Sequence, residues 1–73
     1  MEDTTFIDRL KVEVAELQDK ASKLRTFIGS DAFKNVAHIQ KRLLSMQLST
    51  MHAYIGILEL RLEDLEENNT KTN

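Results

Sequence analysis

Between residues 36 and 67 the apolar side chains spread over more of a helix than one neighbouring helix could cover. Leu44, Leu48, Met51, Ile55, Leu58, Leu62 and Leu65 follow one another at spacings of four and three, the heptad rhythm of a packed seam. Ile39, Leu43, Met46, Ala53, Ile57 and Leu60 keep the same rhythm, rotated by roughly 140° at about 100° per residue. Together the two sets claim about two-thirds of the circumference. Such a helix needs neighbours on two sides, and in a chain of 73 residues only one can come from the same chain. The others are expected from further copies, with Leu44, Leu48, Met51, Ile55, Leu58, Leu60, Leu62 and Leu65 as the expected oligomer interface.

A chain of this size forms at most one small domain, whose core alone supplies roughly 3–5 kcal/mol. Cysteine is absent, so neither a disulfide nor a thiolate metal site can reinforce it. Proline is absent too and glycine occurs only twice, which suits long helices and disfavours an all-β fold. There is no basic segment leading into an apolar run at the N-terminus, and no apolar stretch near the roughly 20 residues of a membrane span. A soluble, cytoplasmic protein without membrane partners is expected.

The first helix is expected from residue 6 to residue 28. Thr5 offers a hydroxyl at its start with Asp8 three residues on, and Glu2, Asp3 and Asp8 suit the positive end of the helix dipole. Ile7, Leu10, Val14, Leu17, Ala21, Leu24 and Ile28 form one narrow seam, while Glu16 with Lys20 and Asp19 with Lys23 sit at i,i+4 on the solvated side. Gly29 is placed for a left-handed C-terminal cap, Ser30 or Asp31 for capping a short turn, and Phe33 for folding back over the end of the core. The fold class is therefore all-α: an antiparallel helical hairpin, helices about 6–28 and 36–67, assembling as an oligomeric helical bundle. Residues 1–67 make the single domain, and the polar run 68–73 is expected to be a disordered tail.

At about 1.5 Å per residue the arms are near 35 Å and 46 Å long. If Ile28 lies opposite Val36 or Ala37, Ile7 falls near Leu58, and Leu60, Leu62 and Leu65 overhang the first helix. That overhang is a second reason to expect a homo-oligomer, a dimer or larger.

Charge is unevenly distributed. Residues 1–19 carry six acids and two bases, residues 20–42 six bases and one acid, and residues 43–73 five acids and two bases. Folding the hairpin gathers Arg25, Lys34, His38, Lys41 and Arg42 near the loop, a secondary anion patch beside the start of the second helix. The negative total charge argues against nucleic acid as the partner.

Between the two seams of the second helix run Gln47, Thr50, Tyr54 and Arg61, within roughly 60° of one another on the wheel. Enclosed between subunits, these groups would need partners, either one another or a ligand whose flat ring stacks on Tyr54 and whose anionic group meets Arg61. Ser45, Ser49, Ala53 and Gly56 form a line of small residues where another backbone could approach. His38 and His52 have no cysteine or carboxylate at ligand spacing, so no metal and no cofactor are expected. With no phosphate loop, nucleophile elbow or converging carboxylates, there are no catalytic residues to name and the protein is not expected to be an enzyme.

The order Phe6-Ile7-Asp8-Arg9-Leu10, Glu16-Leu17, Lys23-Leu24, Phe27-Ile28-Gly29-Ser30 and Phe33, then Leu44, Gln47-Leu48-Ser49, Met51, Ala53-Tyr54, Ile57-Leu58 and Arg61-Leu62, resembles a family of small helical-hairpin proteins of phages and prophages, related to a protein of a crAss-like phage. The stretch Asn35-Val36-Ala37-His38-Ile39-Gln40-Lys41-Arg42 is more basic than the acidic, glutamine-rich start of the second helix usual there. The resemblance implies a phage accessory protein in the bacterial cytoplasm. By analogy with small oligomeric phage proteins that block immunity, it implies a sponge for a cyclic nucleotide or cyclic ADP-ribose type ligand, bound by Gln47, Thr50, Tyr54 and Arg61. The alternatives are an inhibitor or adaptor that docks a host or phage protein through the second helix, and a structural assembly helper.

Overall fold

A computed structural model describes residues 5–71 of the chain, with side chains through Glu67. Helix α1 (Thr5–Ile28) and helix α2 (His38–Lys71) lie side by side, joined through a 3-10 turn at Asp31–Asn35. The hairpin is a rod of 57 × 15 × 14 Å, two helices across and no more.

The α1 seam forms as its spacing requires. Leu10, Val14 and Ala21 are buried, and Ile7, Leu17, Leu24 and Ile28 are half-buried. Opposite them α2 presents its first apolar set: Leu58, only 1% exposed, and Ile55 complete the buried core, with Leu48, Met51, Leu62 and Leu65 packed around it. Leu44 is half-buried at the same seam. The unbroken set takes the intrachain partner because its seven large side chains give α1 continuous apolar cover, whereas the other set is interrupted by Thr50 and narrowed at Ala53. Of the eight residues expected between subunits, seven thus face α1 within the chain, and Leu60 alone points away, 66% exposed.

The register differs from the expected one by about a heptad. Lys11 Nζ meets Glu66 Oε2 at 2.9 Å, and Gln18 Nε2 donates to Glu59 Oε2 at 2.9 Å. On the opposite flank Tyr54 reaches Glu13, and the Arg61 guanidinium stands 5.9 Å from the Phe6 ring centre. Within each flank both partners step by seven residues, as an antiparallel coiled pair requires. Ile7 therefore lies near the level of Leu65, and Leu62 and Leu65 pack against the core instead of overhanging it. Glu66 also holds the Lys11 ammonium above its ordinary pKa, by its hydrogen bond first and by its charge second.

The cause lies in the connection. Gly29 N–H donates to the Arg25 carbonyl at 3.1 Å and Ser30 N–H to the Phe27 carbonyl at 3.0 Å, so α1 ends by tightening its last turn. Among the described residues none has positive φ, so the left-handed cap expected at Gly29 does not form. The Ser30 hydroxyl turns back to donate to the Phe27 carbonyl at 2.6 Å instead of capping the next turn. The 3-10 turn and extended Val36 then carry the chain onward before it reverses. The register sets Ile28 near Leu44, and residues 38–43 stand beyond α1. Phe33 closes that end as expected: it meets Phe27 edge-on at 5.9 Å, with Lys41 Nζ 5.8 Å from its ring centre.

At the other ends, α1 already includes Thr5, and Glu2 and Asp3 lie outside the described residues. Helix α2 continues to Lys71, four residues beyond the expected end, since nothing after Glu67 breaks a helix. Thr72 and Asn73, the end of the expected tail, lie outside the described residues.

Candidate functional site

Gln47, Tyr54 and Arg61 are one heptad apart on α2 and lie along one flank of the intrachain seam. The Tyr54 hydroxyl donates to Glu13 Oε2 at 2.9 Å while its ring stays 42% exposed. That hydrogen bond, followed by the negative charge of Glu13 and partial burial, raises the phenol above its ordinary pKa, and Arg61 pulls the other way. Arg61 is exposed and spreads over Phe6. Thr50 donates its hydroxyl to the Met46 carbonyl one turn back at 3.0 Å, and Gln47 is exposed. The four residues thus share one edge of α2, anchored at two points to α1. A ring face at Tyr54 and a planar cation at Arg61, about 10 Å apart along the helix, can stack on a flat ring and pair with an anion.

The residues of the expected anion patch have separate settings. Lys34 Nζ approaches Asp31 Oδ1 at 3.4 Å, and Lys41 is half-buried over Phe33, where its stem continues the α2 seam. His38 is the first residue of α2, and Arg42 is exposed on the next turn. Arg25 lines a shallow dent with Ser22, Gln18, His52 and Glu59, floored by Ala21 and Ile55. The sequence reading gave Gln18, Ser22, His52 and Glu59 no role, although a step of seven from the Gln18–Glu59 contact leads to Arg25 and His52.

On the outward side of α2, Ile39, Met46, Ile57 and Leu60 are each more than half exposed, and Leu43 is 46% exposed. This second apolar set borders the Gln47–Arg61 edge directly. Gly56 lies in an open groove with Ala53, Ile57, Leu60 and Glu63, where a Cβ would meet nothing within 4 Å. Its own chain therefore does not require glycine there. Among the described residues there is no cluster that could hold a metal ion, and no helix is long and apolar enough to cross a membrane.

A family model described as Sequestin matches residues 4–64, which takes in α1, the connection and α2 through the last but one of its seam residues. No curated protein and no solved structure matches the chain.

Proposed function

Since the chain belongs to the Sequestin family, we propose that it is a non-enzymatic, oligomeric phage protein that counteracts bacterial immunity by sequestering a nucleotide-type signalling molecule at its subunit interfaces. The family name supports a role in holding a partner, and holding needs no catalytic group. The observation that carries the reading is the adjacency on α2 of an uncovered apolar face and the edge formed by Gln47, Thr50, Tyr54 and Arg61. Covering the face with another subunit turns that edge into the wall of a pocket.

In that pocket Tyr54 stacks on the base, Arg61 pairs with a phosphate, and Thr50 and Gln47 meet ribose or base edges. Both anchors to α1 are on the surface, so exchanging Glu13 and Phe6 for ligand groups costs little. The ligand class is a cyclic dinucleotide, a cyclic oligonucleotide or a cyclic ADP-ribose isomer.

Native mass spectra of the protein with a panel of these compounds test the reading. One compound should add in a fixed number per oligomer, and Arg61→Ala should abolish its uptake in a calorimetric titration while the oligomer mass is unchanged. Equal affinity in the variant overturns the assignment. A defined oligomer that takes up none of the panel points to a protein partner on the outward face of α2.

A further inference from the structure

The two helices differ on the sides they turn away from each other. On α1 the exposed Val12 sits among Glu16, Asp19, Lys20 and Lys23, an ordinary solvated surface. On α2 the outward side carries Ile39, Leu43, Met46, Ile57 and Leu60 in one strip. The strip is also electrically polar along its length. His38 and Arg42 stand at its start, and Glu63 and Asp64 outnumber Arg61 at its far end. Arg42 and Glu63 border the strip itself, both are exposed, and neither makes an ion pair among the described residues.

We infer that this face pairs with the same face of a second copy, antiparallel and about a two-fold axis at Ser49 and Thr50. The apolar strip runs from Ile39 to Leu60, and its midpoint falls at those two residues. With the axis there, Ile39 meets Leu60 of the partner subunit, and Met46 meets Ala53 of the partner subunit. The antiparallel order then sets the Arg42 end of one copy against the Glu63 end of the partner subunit, once on each side of the axis. A parallel pair would set Arg42 against its own copy and Glu63 against its own copy, so the charges select the antiparallel arrangement.

The same placement accounts for the small residues. Ser49, Ala53 and Gly56 lie near the crossing, where two backbones approach most closely, and the empty space over Gly56 in the single chain is where the second helix goes. The pairing stands on the face and its charges alone. Taken with the sequestering role proposed above, it makes the pocket a composite, with Gln47, Thr50 and Tyr54 of both copies bordering the axis.

Single cysteines test the geometry cleanly, because the chain has none of its own. Under mild oxidation Ser49→Cys and Thr50→Cys should each form covalent dimers, Leu60→Cys alone should not, and a mixture of Ile39→Cys and Leu60→Cys should link to each other. Leu60→Cys linking to itself as readily as Ser49→Cys overturns the antiparallel axis. In sedimentation equilibrium the unmodified chain should have twice its chain mass, and Ile57→Glu should leave a helical monomer. Arg42→Glu and Glu63→Arg should each weaken association by roughly tenfold, and the double variant should recover most of it. A monomeric unmodified chain, or a double variant as weak as its two single losses combined, overturns the pairing. Both experiments are run without ligand, so their outcome is separate from that of the uptake experiment.

Discussion

The Tyr54 hydroxyl and the Glu13 carboxylate are joined by a hydrogen bond of 2.9 Å between residues 41 apart in sequence. It ties the centre of α2 to α1 on the same edge that carries Arg61, and it holds the phenol protonated to higher pH than usual. Because the folded chain binds this proton more tightly than the unfolded one, the associated stability is complete below the ordinary phenol value near 10 and is lost as pH rises through the raised value. Tyr54 is the only tyrosine, so its ultraviolet titration reads this site alone. The midpoint should lie above the ordinary value and return toward it in Glu13→Gln; an unmoved midpoint in that variant would show that the hydrogen bond does not persist in solution.

Leu58 and Leu60 are two residues apart and respond differently to truncation. Leu58→Ala opens a cavity in the seam and should cost about 2–5 kcal/mol, enough to unfold much of so small a core. Leu60→Ala removes a side chain that is 66% exposed in the single chain, so at high dilution it should cost well under about 1 kcal/mol. Thermal melts followed by circular dichroism at two protein concentrations separate these effects.

Gly56→Ala adds a methyl group where nothing of the same chain lies within 4 Å. In the monomeric Ile57→Glu background it should therefore stabilise α2 by roughly 0.8–1 kcal/mol, through helix propensity alone. Urea unfolding of the two proteins measures it, and a loss of stability would mean that the groove is occupied from within the chain.

Phe33 spans the gap that the connection opens beyond α1. Phe33→Ala removes both its edge-on contact with Phe27 and the surface under Lys41, and should cost about 1–3 kcal/mol. Hydrogen exchange should speed up most over residues 27–41 and little at Leu58.

The α1 seam and the α2 set facing it were legible because three–four spacing maps directly onto a helix face. What spacing leaves open is which of two rhythmic sets on α2 meets α1, and at what level. The level followed from the connection, where Gly29 keeps negative φ and the chain advances through a 3-10 turn before reversing. No residue pattern distinguishes that path from a tight cap at glycine. The same displacement carried Leu62 and Leu65 into the core and set Tyr54 beside Glu13, so the edge of Gln47, Thr50, Tyr54 and Arg61 borders the hairpin's own seam. Lys41 looks like a loop cation because its charge is visible in sequence and its seam position beside Phe33 is not.

A rod two helices across has no interior volume beyond its seam, and that seam is filled by leucine, isoleucine, valine, methionine and alanine. Any cargo this protein encloses must be enclosed by more than one chain. On the function proposed above, capture would depend on how many chains have already met: a dilute pool would hold cargo poorly, and capacity would rise more steeply than in proportion to the amount of protein made. Cargo bound across the junction in turn holds the chains together, so the loaded form should survive dilutions that separate the empty one.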